Sequence, residues 1–113
     1  VTCVFCSIIS GDLPATKVFE SEHVLAFEDI AKVAPVHCVI VPKRHIESVL
    51  SVAPSDTELL TALQTAIQEV AKITGVAETG FRIISNCGAA AGQTVFHLHY
   101  HLIGGRELAV TLG

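Results

Sequence analysis

"VFHLHYHLI", residues 95–103, decides how the chain is built. His97, His99 and His101 alternate with Leu98, Tyr100 and Leu102, and a period of two belongs to a strand, not a helix. The leucines and the tyrosine then share one face, which suits burial, while the three imidazoles share the other, in a polar cleft or at the surface. The apolar face needs something to pack on. "PSDTELLTALQTAIQEVAKITG", residues 54–75, supplies it. Leu59, Leu63, Ile67 and Val70, flanked by Leu60, Ala66 and Ile73, recur at helical spacing and mark one broad stripe. Ser55 followed by Glu58 reads as a capping box. Lys72 suits the C-terminal dipole, and Gly75 can take the left-handed turn that ends a helix, so the helix is expected over about residues 55–74.

Shorter signals complete the outline. "KVFE" and "HVLAFED", separated by Ser21 and Glu22, read as a hairpin. "HCVIVP" is a buried-type strand closed by Pro42, and "FRIISN" follows the helix. Weaker helical turns are expected around Phe5 to Ser10 and near His45 to Val52. Five strands, one long helix and a short N-terminal helix imply an α+β fold with an antiparallel five-stranded sheet. At 113 residues the expectation is one domain, residues 1–113.

Composition excludes several classes of function. Half the residues are apolar and 16% are charged, yet no apolar run reaches the length a membrane helix needs. The surplus is better used in a subunit interface, so a homodimer is expected. The formal charge is −4 and Lys and Arg form no block, which argues against a nucleic-acid partner. A small anion remains possible, because backbone N–H groups alone can hold a phosphate. The N-terminal residues lack the marks of a signal peptide, and a cytoplasmic location is expected. Cys3 and Cys6 form a C-x-x-C pair, and in an intracellular chain that suggests metal or redox chemistry before a disulfide framework.

Histidine is not a strong strand former, so three at strict alternation call for a function. Same-face residues stand about 6.6 Å apart along a strand, and the outer two rings about 13 Å apart, too far for one metal to take all three comfortably. Two neighbours could share one. Imidazole changes protonation near neutral pH and is a nucleophile, so the row could also divide the labour of a reaction. Just upstream, "SNCGAAAGQT" is either a plain inter-strand loop or a backbone cradle for phosphate.

"HLHYHLI", the following "GGR", and the earlier "AFEDIAKVAPVHCVIVPKRHI" resemble the histidine triad (HIT) nucleotide-binding family, Hint branch. The likeness runs from about Phe5 to Arg106. It implies a dimeric α+β hydrolase acting on nucleoside phosphoramidates and acyl-adenylates, releasing AMP or another nucleoside monophosphate through a nucleotidyl-histidine. By this resemblance the nucleophile is His99, with His101 at the phosphate or leaving group and His97 completing the triad. Asp29 would bind the ribose, as an ionised carboxylate can accept from both hydroxyls. Phe5, Phe27 and Ile30 would surround the base, Asn86, Gly92, Gln93 and Thr94 would face the phosphate, and His37 would support the triad. Relatives also carry a structural Zn²⁺ on two cysteines and two histidines, and the matching set is Cys3, Cys6, His45 and His97. The chain closes on "RELAVTLG" without the tryptophan of many Hint relatives, so the resemblance does not carry their leaving-group preference over to it. Two rival readings are a metal-buffering protein and a non-catalytic nucleotide-binding or interaction module.

Overall fold

A computed structural model describes residues 3–113. A short helix α1 (Val4–Ser10) leads into strands β1 (Lys17–Glu20), β2 (Val24–Glu28) and β3 (Val36–Pro42). Helix α2 (Thr57–Ile73) and the four-residue α3 (Val76–Thr79) precede β4 (Phe81–Ile84) and β5 (Tyr100–Gly104). The sheet runs β1-β2-β3-β5-β4, with every neighbouring pair antiparallel, so the α+β class and the five-stranded sheet are as expected. Single 3-10 turns occupy Val49–Ser51, inside the stretch expected to turn, and Ala89–Ala91.

Both faces of the central strands are covered, which is why β2 and β3 read as continuous apolar runs instead of alternating ones. On one face Val24, Ala26, Cys38, Ile40, Leu98 and Leu102 pack with Leu59, Leu63, Ala66 and Val70 of α2. On the other, Leu25, Phe27, Val39 and Val41 meet Phe5, Ile8 and Ile9 of α1. Leu60 and Ile73, grouped with the stripe from their spacing, are instead 40% and 57% exposed. The buried arc is narrower than the apolar arc.

The start of α2 corrects the capping-box expectation. Asp56, not Ser55, is the N-cap: its Oδ1 accepts from the Leu59 N–H at 3.2 Å. Glu58 does not reach back to Ser55 but outward to His23. Arg44 holds the second Asp56 oxygen at 2.8 Å, which keeps the carboxylate aimed at the helix start. At the far end Gly75 adopts φ 83°, the left-handed turn anticipated for it.

β5 is shorter than the alternating segment. Its ladder to β3 ends where Tyr100 pairs Ile40, so His97 to His99 lie outside the sheet. The next β3 residues lead to Pro42, which has no N–H to give. Instead the Leu98 N–H bonds the Ile46 carbonyl at 2.6 Å, and the segment runs on extended. Gly104 closes β5 because a Cβ there would stand 3.0 Å from the Gly80 carbonyl oxygen and from Val76 Cγ1. Among the described residues, no helix is long and apolar enough to cross a membrane.

Candidate active site

The three imidazoles share a face, as the alternation requires, but each meets a different environment. His97 is fully buried, not in an open cleft. Its Nε2–H donates to the Pro42 carbonyl at 2.8 Å, so in the neutral ring Nδ1 carries a bare lone pair. That nitrogen faces Cys3 Sγ at 3.4 Å, Cys6 Sγ at 3.6 Å and His45 Nδ1 at 3.2 Å, and Cys6 Sγ lies 3.3 Å from His45 Nδ1. All four donor atoms fall within 4.8 Å of one another. A tetrahedron with Zn–S of about 2.3 Å and Zn–N of about 2.0–2.1 Å has edges of roughly 3.3–3.8 Å, which these separations match. Burial drives the His97 pKa down, with His45 and His99 adding to it against the Pro42 bond. Burial, with Cys3 beside it, pushes the Cys6 thiol up, and a cation between the donors would oppose that. The donor set fits a tetrahedral metal.

His99 is held the other way round. Its Nδ1–H donates to the carbonyl of His97 at 2.7 Å, so in the neutral ring the lone pair is on Nε2. The Phe5 ring stands edge-on to it with centroids 4.9 Å apart, and also touches Phe27 and His97 at 5.7 and 5.9 Å.

His101 takes its tautomer from further away. The Val33 N–H donates to His37 Nδ1 at 3.1 Å, so neutral His37 keeps its proton on Nε2. That nitrogen lies 2.9 Å from His101 Nδ1 and 3.3 Å from Asp29 Oδ2. His101 Nδ1 is thereby an acceptor and its own proton sits on Nε2. Burial lowers the His101 pKa, His99 and His37 lower it further, and Asp29 opposes them. A lone pair on His99 and an N–H on His101 therefore stand side by side, ring centroids 5.1 Å apart.

Next to them is a cavity of about 360 Å³. Phe5, Ile8, Phe27 and Val39 give it apolar walls, and Asp29 and His101 give it a polar end. Phe5, Phe27, Asp29 and Ile30 are thus brought together, with Ile30 fully exposed at the rim. Asp29 Oδ1 also accepts from the Ala31 N–H at 2.8 Å, which fixes the carboxylate. Ile8 and Val39 escaped the sequence reading, although both lie in apolar stretches, VFCSII and VHCVIVP.

The loop after β4 divides its labour. Gln93 is buried, and its side chain is fully committed within the protein. Oε1 accepts from the Gly88 N–H at 2.8 Å, and Nε2 donates to the carbonyls of Glu47 and Val95 at 2.9 and 3.2 Å. Gln93 therefore shapes the loop instead of offering its amide to a ligand. Gly92, at φ 87°, ends the Ala89–Ala91 turn, Thr94 is exposed, and Asn86 is half-buried at the loop's start. Ser85, unnoticed in the sequence, donates to the His99 carbonyl at 2.9 Å. Cys38 is buried in the core, and Cys87 rests on Ser48 at 3.4 Å.

Comparison with known proteins agrees with this geometry. The HIT domain matches residues 10–108, and the chain belongs to the HIT family. It is similar to the solved HIT family hydrolase of Clostridium thermocellum, at 49% identity and TM-score 0.93 over 98% of this chain and 96% of that one. A HIT family hydrolase from Legionella pneumophila aligns at 41% identity and TM-score 0.94, over 99% of this chain and all of that one. Protein HitA of Neisseria gonorrhoeae is 38% identical over 102 residues, covering 90% of this chain and 94% of its own length.

Nitrogen-15 NMR should find the His101 proton on Nε2, with a titration midpoint below the ordinary 6.5. His37→Gln can accept from Val33 and donate to His101, so it should preserve that tautomer. His37→Leu should scramble it. The same tautomer in both variants would show that His37 does not set it.

Proposed function

We propose that the protein is a nucleotide-binding hydrolase that cleaves nucleoside phosphoramidates and acyl-adenylates at the α-phosphorus, through a nucleotidyl adduct on His99. The observation that carries this is the His99 Nδ1–H bond to the His97 carbonyl, which presents Nε2 as a free nucleophile beside a hydrogen-bond donor. The base enters the apolar cavity against Phe5 and Phe27, and Asp29 accepts from the ribose hydroxyls. Backbone groups of the loop through Gly92, Gln93 and Thr94 meet the phosphate. His99 Nε2 attacks phosphorus, and the bond to the leaving amine or carboxylate breaks while His101 hydrogen-bonds the departing atom. Water then attacks the adduct and releases AMP or another nucleoside monophosphate. With an amide substrate the departing nitrogen takes up one proton from solvent in the first step and the attacking water returns one to solvent in the second, so the histidines end in their starting tautomers. Rapidly quenched protein given an adenosine phosphoramidate should show a nucleotidyl mass on residue 99, absent in His99→Ala. Equal turnover by that variant would remove His99 from the reaction.

Cys3, Cys6, His45 and His97 would hold a structural Zn²⁺. The ion would supply a cross-link between the N-terminal helix and the histidine segment. Such a link has work to do there, because no residue of α1 is itself fully buried and its hold on the sheet otherwise rests on Phe5, Ile8 and Ile9. His97 serves in this reading as a ligand that fixes the position of its own carbonyl, and so the His99 tautomer. Protein purified without chelator should carry about one zinc per chain, and Cys6→Ser should lose it while amide exchange in residues 3–10 accelerates. A variant that loses metal with unchanged exchange would end the structural role.

Exposed Leu60, Ile73 and Phe81, on α2 and the edge strand β4, support the homodimer that composition suggests. Sedimentation equilibrium at micromolar concentration should return twice the chain mass. A monomer mass would refute the dimer.

A further inference from the structure

A second cavity, of about 520 Å³, opens on the other side of Val4, a residue that lines both cavities. Its walls include Val4, Thr94, Phe96 and Glu47, and it runs back to Cys3 and His45. We propose that this cavity receives the leaving group, and that Glu47 selects apolar amines bearing a positive charge over substrates carrying a further phosphate. The inference rests on the phosphoramidate reading and deepens it.

Placement comes first. With the nucleoside in the cavity at Asp29 and His101, the phosphorus lies by His99, against the loop that ends at Thr94. Thr94 is also a wall of the second cavity. Whatever is bonded to the far side of phosphorus can therefore continue from the loop into that space.

Wall chemistry comes next. Val4 and Phe96 are apolar and partly exposed, at 42% and 47%, so an aliphatic or aromatic body gains contact by covering them. Among the described residues neither Lys nor Arg lines the cavity, and Glu47 is its one carboxylate. A divalent ion on two thiolates and two neutral imidazoles carries no net charge, so the tetrad would not offset the glutamate. A second phosphate would face Glu47 with no cation to meet it, whereas an ammonium would be drawn in.

Glu47 is also firmly held at its backbone. Buried Gln93 donates to its carbonyl at 2.9 Å, and the adjacent Ile46 carbonyl takes the Leu98 N–H. The same glutamine shapes the phosphate-side loop, so the charge and the loop share one staple.

Three adenosine 5′-phosphoramidates of matched shape test this: those of benzylamine, 4-(aminomethyl)benzylamine and 4-(aminomethyl)benzoate. Glu47 is exposed and screened, so at low salt kcat/KM should favour the ammonium probe over the carboxylate probe by about three- to fivefold, less at high salt. Glu47→Gln should flatten the ranking and Glu47→Lys should reverse it. Phe96→Ala should raise KM for all three alike. A ranking unchanged in Glu47→Lys overturns the proposal. If the wild-type protein turns over none of the probes, it is the phosphoramidate reading that fails. Turnover with a flat ranking defeats only the selectivity of the second cavity.

Discussion

The bond from His97 Nε2–H to the Pro42 carbonyl is the constraint on which the rest of the site depends. Pro42 cannot donate to a neighbouring strand, so the β3–β5 ladder stops before it and the carbonyl is left to a side chain. Once His97 gives it the Nε2 proton, the opposite nitrogen must face the two cysteines and His45. The ring is then held from both ends. The main chain of residue 97 is fixed with it, and the His97 carbonyl becomes the acceptor that orders His99. One proline in a neighbouring strand thereby reaches the proposed nucleophile in two hydrogen bonds.

Main-chain groups set all three tautomers, and their polarity decides which way each ring points its proton. Two carbonyls, of Pro42 and His97, pull protons to Nε2 of His97 and Nδ1 of His99. One amide, of Val33, does the reverse, and His37 relays its choice to His101. A net hydrogen bond of about 1 kcal/mol already favours one tautomer several-fold, so these few contacts suffice to pair a lone pair with a donor on adjacent rings. Side-chain carboxylates could do the same, as Asp29 nearly does, but at the cost of charge in the site.

Much of this was legible in the sequence, and the failures share a cause. The alternation correctly put Leu98, Tyr100 and Leu102 against α2, because facing depends only on local geometry. It overstated the strand, because ladder length depends on the partner, and the partner ends at a proline. Ser55 and Asp56 are both good caps, and the choice fell to Asp56, which also reaches Arg44 from a distant turn. Of the cavity's lining, Phe5, Phe27, Asp29, Ile30 and His101 follow from the family resemblance, whereas Ile8 and Val39 came only with the fold. Val33 could not be found that way: a backbone N–H has no signature, and any residue but proline supplies one. Gln93 was visible as a residue of the loop, but only the fold shows its amide spent on Gly88, Glu47 and Val95.

The charge economy of the site bears on how it would hold a nucleotide. Each cavity has at least one carboxylate in or at its wall, Glu28 and Asp29 in one and Glu47 in the other, and among the described residues neither is lined by Lys or Arg. Glu28 is offset by its ion pair with Lys32, whereas Asp29 meets His37 and the Ala31 N–H in place of a Lys or Arg. In the proposed function a phosphate between them would be met by N–H dipoles, and its affinity would come largely from the apolar walls around the base. Weak charge complementarity in the ground state is compatible with turnover, because only contacts that strengthen as charge moves off the leaving group accelerate the step. On the same proposal it would also ease product release, since a free monophosphate carries more charge in water than it had when bonded to its leaving group, and no Lys or Arg among the described lining residues would hold it back.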